Sequence, residues 1–213
     1  MKSILKPIVV GVAGGTGAGK STIVKEIQKN LGIDKVSIIQ YDSYYKNRPE
    51  LSFEERKKIN FDHPESLDTN LLVEHLNLLI SGKNVQIPVF HHFTKYLRDT
   101  NTKKVESLPI LIVEGILVLN DKRLRELLNL KVFIDIPPDL RFIRRLTRDL
   151  SEHGRSVDSV TKQYLTSIRP MHNDFVETSK IHADLFITEK LSKRQAVNLL
   201  VTQLQRLQGE NFT

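Results

Sequence analysis

Gly14-Gly15-Thr16-Gly17-Ala18-Gly19-Lys20-Ser21-Thr22 is the stretch on which the fold turns. Its first eight residues read G-x-x-x-x-G-K-S, the Walker A signature of a loop that cradles phosphate. An apolar run, Pro7-Ile8-Val9-Val10-Gly11-Val12-Ala13, precedes it, as expected of a strand buried on both faces. Ile23, Val24 and Ile27 follow at helical spacing. Strand, glycine loop and helix are the context the motif requires. Glycines let successive N–H groups of residues 14–22 turn inward on oxygen anions, and the helix N-terminus adds partial positive charge. Lys20 is expected to neutralise the outer phosphates, and Ser21 to place its hydroxyl on Mg²⁺.

The carboxyl ends of the other apolar runs supply the next candidates, because functional side chains of open α/β sheets gather there. Lys35–Gln40 reads as a second strand that ends at Tyr41-Asp42-Ser43-Tyr44-Tyr45. A carboxylate at Asp42 can take a proton from a hydroxyl, touch Mg²⁺, or serve as an Asx-turn residue. Leu108–Val113 reads as a third strand closed by Glu114-Gly115, the Walker B arrangement for holding the metal. Lys131–Ile136 is a fourth strand and Ala183–Ile187 a fifth, at an edge. Strands alternating with helices predict a parallel sheet covered on both faces. The expected fold is therefore α/β: a three-layer P-loop NTPase type with a central parallel sheet, a small β-hairpin arm and a helical lid, formed by residues 1–213 as one domain.

The arm is expected at about residues 85–106, from Val85–Phe90 and the region of Thr102–Val105. Between them lies His91-His92-Phe93-Thr94-Lys95-Tyr96-Leu97-Arg98. No further His or Cys stands at ligand spacing, so the two histidines read as exposed loop residues and not as a metal site. Aromatic and basic residues on such a loop also suit stacking on a planar base. Upstream, Asn60-Phe61-Asp62-His63-Pro64 reads as a turn with an Asp cap, although Asp62 also suits a vicinal diol. Asp68 or Thr69 is expected to cap a helix over 69–81 with a core face of Leu72, Leu76, Leu79 and Ile80.

The lid is expected at about 139–170. Asp139 is read as the cap of a helix on which Arg141, Arg144, Arg145 and Arg148 oppose Phe142, Ile143, Leu146 and Leu150. This is either a solvated basic face paired with Asp149 and Glu152, or an arginine lid that stabilises a transferring phosphoryl group. A following helix, capped by Ser156, is expected to stop at Arg169-Pro170, and Ser192 to cap a last amphipathic one.

Composition bounds the rest. The 213 residues carry 39% hydrophobic and 27% charged side chains, which fits a chain with a substantial core. No apolar run approaches the ~18 residues of a membrane span. Met1–Lys6 has no signal-peptide character and cysteine is absent, so a cytoplasmic location is expected. The net charge of +7 is concentrated at the arginine helix, which argues for a small polyanion over nucleic acid. No D-x-x-G or N-K-x-D guanine signature follows the loop, which disfavours a GTPase switch.

Taken together, GVAGGTGAGKS (11–21), YDSYY (41–45), FDHP (61–64), IPV (87–89), VEGIL (113–117), RRLTRDLSEHGRSVDSV (144–160), QY (163–164), RP (169–170) and HADLFI (182–187) resemble the uridine/cytidine kinases of the phosphoribulokinase/uridine kinase family. The resemblance covers nearly the whole chain. It implies phosphorylation of uridine or cytidine at the 5′-hydroxyl by ATP or GTP in pyrimidine salvage, with Mg²⁺, by a cytoplasmic homotetramer. It implies Asp42 as base, with Lys20 and Arg148 catalytic and Arg145 and Arg148 on phosphate. Tyr45, Phe61, Asp62, Tyr96, Arg98, Arg145, Arg155 and Gln163, with Asp42, would hold the nucleoside. Ser21, Asp42 and Glu114 would surround the metal. The chain departs from the family pattern at His153, where an arginine is usual, and in the arm, where H-x-R is absent and Tyr96-Leu97-Arg98 is the nearest equivalent. Kinases of other small alcohols, phosphoribulokinase- or pantothenate kinase-like, and a nucleic-acid-stimulated ATPase are the alternatives.

Overall fold

The computed structural model describes residues 6–92 and 94–210. The reading of Met1–Leu5 lies outside these residues, as does that of Phe93. Strand β1 (Ile8–Ala13) is buried along its whole length and runs into the glycine loop and helix α1 (Lys20–Leu31). Ile23, Val24 and Ile27 form the buried face of α1 at the predicted spacing. Strand β2 (Val36–Gln40) ends in a 3₁₀ turn at Tyr41–Tyr44. A short helix α2 (Phe53–Arg56) is started by a reciprocal Ser52/Glu55 capping box.

Helix α3 (Thr69–Ile80) is capped by Asp68, whose carboxylate accepts from Leu71 N at 3.2 Å. Leu72, Leu76 and Leu79 are fully buried, while Ile80 is half-buried. Strands β3 (Val85–His91) and β4 (Leu97–Val105) pair antiparallel as the arm. The register shifts between Pro88 and Phe90, as suits a proline that has no N–H to donate to a ladder. Strand β5 (Ile110–Glu114), helix α4 (Lys122–Leu127) and strand β6 (Leu130–Asp135) follow.

The main sheet has five strands in the order β2-β5-β1-β6-β7, and every pairing is parallel. Strand β7 (Leu185–Thr188) is its edge, and helix α8 (Lys193–Glu210) ends the described chain. Ser192 caps α8 together with Gln195. Alternate residues of the strands feed two cores. One holds Ile8, Val10, Val12 and Ile112 against α1 and α8. The other holds Val9, Leu111, Val113 and Phe133 against α3 and the arm. Gly19, Gln40, Glu114 and Asp135 therefore all stand at the same end of the sheet.

Two expectations are corrected in the lid, and the basic side of its first helix is not the solvated face that one reading offered. Helix α5 (Pro138–His153) starts on Pro137 with no side-chain cap, and Asp139 lies inside the first turn. Its basic side is not uniformly solvated: Arg141 is 5% exposed and Asp149 fully buried, whereas Arg144, Ile143 and Leu150 are exposed. Helix α6 (Val157–Gln163), capped by Ser156, does not stop at Pro170. A π turn at Tyr164–Ile168, helix α7 (Arg169–Met171) and a second π turn at His172–Glu177 continue it. The wide turns on either side shift the hydrogen-bond ladder where the proline lacks an N–H, so the helical path survives it.

Candidate active site

The glycine loop is drawn by its backbone. Gly19 takes a left-handed φ of 92° as it enters α1, and Gly17 one of 77°. A Cβ on Gly17 would run into the carbonyl of Arg141, so the loop and α5 touch backbone to backbone. Arg141 supports the loop from behind: its Nε donates to Ile136 O at 2.9 Å and its guanidinium meets His172 Nε2 at 3.1 Å. A Cβ on Gly15 would strike that guanidinium. Burial, then the Arg141 charge, push His172 down to about 4, which keeps it a neutral partner near neutral pH.

Lys20 is buried, and its ammonium donates to Gly14 O at 2.9 Å and Gly15 O at 3.2 Å. Burial lowers its pKa, opposed by the nearby Glu114 and Asp42 carboxylates. Ser21 Oγ donates to Glu114 Oε1 at 2.7 Å, and Gln40 Nε2 approaches the same oxygen at 3.5 Å. The parallel register sets this up by placing Glu114 level with Val12 and with Gln40. A hydroxyl and a carboxylate at one point offer hard oxygen donors, which fit a cation that retains several waters. Among the described residues no group of three or more His, Cys, Asp or Glu has metal-holding geometry.

On the far side of the cleft, Asp42 lies in the 3₁₀ turn after β2. It acts electrostatically on Lys20, Tyr45, Asp62 and His92. His63, and not Asp62, caps the next turn by accepting from Glu65 N at 3.2 Å. Asp62 is thereby left to the cleft, where burial raises it to about 6 against the pull of Arg145. Tyr45 is buried, and its phenol is held well above the usual range by burial and by the two aspartates. Its ring meets Phe61 at 5.0 Å and Phe90 at 5.2 Å. Tyr96 stacks on Phe61 at 5.7 Å with an interplanar angle of 17°. These rings make an aromatic wall beside two carboxylates.

The histidine pair departs from expectation. Neither is an exposed loop residue. His91 Nε2 bonds Asp99 Oδ2 at 2.6 Å. His92 is half-buried with its ring 5.5 Å from Tyr45 and 5.0 Å from Phe90, and burial lowers its pKa. Strand β3 runs one residue further than the sequence pattern showed, through His91.

Arg145, Arg148 and Arg155 come together at the loop. Arg145 donates to Thr16 Oγ1 at 2.8 Å and to Gln163 Oε1 at 3.1 Å. Arg155 donates to the same Gln163 oxygen at 2.6 Å. Arg148 acts electrostatically on Lys20. Arg98 stands apart from this set. It donates to the backbone oxygens of Tyr45 at 2.9 Å and Tyr44 at 3.3 Å and to Asp68 at 3.2 Å, so its donors brace the arm. Sequence reasoning overlooked the Arg141–His172 support. Its one signal was Arg141 itself, the first of the four arginines read on the lid helix.

The model of the phosphoribulokinase/uridine kinase family matches residues 9–196. The chain is 46% identical over 205 residues to a uridine kinase of Clostridium perfringens, covering 96% of this chain and 98% of that one. It is 44% identical over 206 residues to a uridine kinase of Streptococcus thermophilus, covering 97% of each. Among solved structures, phosphoribulokinase from Rhodobacter spheroides matches with a TM-score of 0.63 at 16% identity over 92% of this chain and 75% of that one. D-glycerate 3-kinase from Cryptococcus neoformans matches at 0.61 and 16% identity over 82% and 81%. At such identities these structures speak to the fold alone.

Proposed function

This chain belongs to the phosphoribulokinase/uridine kinase family, and from that membership we propose that it transfers the γ-phosphoryl group of a nucleoside triphosphate to the 5′-hydroxyl of a pyrimidine nucleoside. The observation that carries the reading is that two carboxylates, Asp42 and Asp62, beside the Tyr45 and Phe61 rings, lie within electrostatic reach of Lys20 and Arg145. Cations for phosphate stand on one side. Acceptors for neutral hydroxyls, with rings for a base, stand on the other. An acidic alcohol would meet two like charges there.

In the proposed mechanism Asp62 accepts hydrogen bonds from the ribose hydroxyls and fixes the acceptor in line. Asp42 takes the 5′-hydroxyl proton as the oxygen attacks the γ-phosphorus. The bond from that phosphorus to the β,γ-bridging oxygen breaks, and the diphosphate leaves. Lys20, Arg145 and Arg148 neutralise charge on the phosphoryl oxygens, and most of the rate comes from such positioning and charge placement. Ser21, Glu114 and Asp42 would hold Mg²⁺, which would offset negative charge on the phosphates. Tyr45, Phe61 and Tyr96 enclose the base, with Gln163 and Arg155 at the sugar.

The donor is proposed to be ATP or GTP, and the setting nucleoside salvage in the cytoplasm by a homotetramer; light scattering checks the assembly. The reading is tested by ADP release from Mg-ATP with uridine, cytidine, adenosine, ribulose 5-phosphate and pantothenate in parallel. Turnover with uridine or cytidine alone is expected. Silence with both, and activity with another alcohol, would overturn it.

A further inference from the structure

Asp149 sits at the one point where the lid's guanidinium groups meet. Its side chain is fully buried. Oδ1 accepts from Arg148 Nε at 3.1 Å and from the same guanidinium's terminal nitrogen at 2.7 Å. Oδ2 accepts from Arg155 at 3.2 Å and pairs with Arg145 at 3.5 Å. Its backbone oxygen also accepts from Gly154 N and from Arg155 N, closing the end of α5. Gln163 ties Arg145 and Arg155 together from the opposite side.

Three guanidinium groups drawn to one place repel, and burial penalises each of their charges. Arg145 shows the strain: burial lowers its pKa, and Asp149 is the largest opposing influence. One carboxylate cancels part of the charge and, through two oxygens, sets where all three groups point. Two net positive charges remain for the phosphates. In the sequence this aspartate had a role only under the solvated-face reading, as a salt-bridge partner.

We propose that Asp149 is a positioning residue that holds Arg145, Arg148 and Arg155 as a preset trio for the transferring phosphoryl group. The proposal rests on the phosphoryl-transfer reading above, and not on which alcohol is the acceptor. Asp149→Asn keeps the size of the side chain, removes its charge and turns an N–H₂ group toward a guanidinium. Misplacing charged groups by about an ångström costs on the order of 100-fold in rate, so kcat is expected to fall ~10- to 100-fold. Affinity for MgADP, read by calorimetry, is expected to stay within about threefold or to tighten, since every arginine charge remains.

Asp149→Glu keeps the charge but moves the carboxylate, and is expected to lose kcat at a nearly unchanged thermal midpoint. Normal kcat in D149N would overturn the proposal. So would full activity in D149E, which would make charge alone the requirement. Parallel loss of kcat, MgADP affinity and thermal midpoint, or failure of both variants to fold, would mark a structural carboxylate instead. If wild type phosphorylates only a non-pyrimidine alcohol, the acceptor reading fails while this comparison runs unchanged on that alcohol.

Discussion

Asp42 and Asp62 carry opposite demands within one cleft. Asp42 must receive a proton during turnover, so Asp42→Asn is expected to lower kcat by ~10²- to 10⁴-fold while MgADP still binds. Near-normal turnover in that variant would remove Asp42 from the chemistry. Asp62 must be ionised to accept from a diol, yet burial raises its pKa to about 6. The folded protein therefore favours the protonated form relative to the unfolded chain. Stability from this group is present at low pH and is lost as pH rises through about 6. Acceptor binding runs the other way, so KM for the nucleoside is expected to climb as pH falls through about 6. An Asp62→Asn variant should abolish that part of the profile, and steady-state KM across the range checks it. Both aspartates were legible as strand-end and turn carboxylates. The role of Asp149 was not, because spacing along a helix shows which residues share a face but not whether that face is turned to water or to the site.

The elements reveal the same limit. Period and cap signals placed α1, α3 and the strands well, since each has one apolar face and one obvious burial partner. On α5 the amphipathic pattern left two orientations open, and the structure buries Arg141 and Asp149 while Ile143 and Leu150 face out. A helix that packs against a phosphate loop buries its charges there. Pro170 misled for a different reason, because π turns let a long helix absorb it. The glycine loop makes the prediction at this scale. Gly17→Ala must place a methyl against the Arg141 carbonyl at a φ of 77°, and such backbone strain costs ~1–3 kcal/mol. Nucleotide affinity is expected to fall in proportion while α5 stays folded, which nucleotide titration with circular dichroism checks.

At the scale of the molecule, two cores flank one parallel sheet, and stability resides there more than in the cleft. Leu76 is fully buried against the arm-side core, so Leu76→Ala is expected to cost ~2–5 kcal/mol, read by urea denaturation. Fold class and the places of the strands along the chain followed from the sequence, because buried parallel strands announce themselves as short apolar runs; their order in the sheet did not. The path of the arm turn did not, because His92 takes its place against Tyr45, distant in the chain, as well as against neighbouring Phe90. The topology also has a meaning for descent. Most of what would grip the acceptor, from the turn at Tyr41 to the end of β4, is spliced between two neighbouring strands, β2 and β5, with Gln163 and Arg155 outside it. The phosphate loop comes before that insertion and the arginine lid after it. One stretch of gene can thus drift, be exchanged or be redesigned for a new alcohol while the phosphoryl-transfer frame is inherited intact.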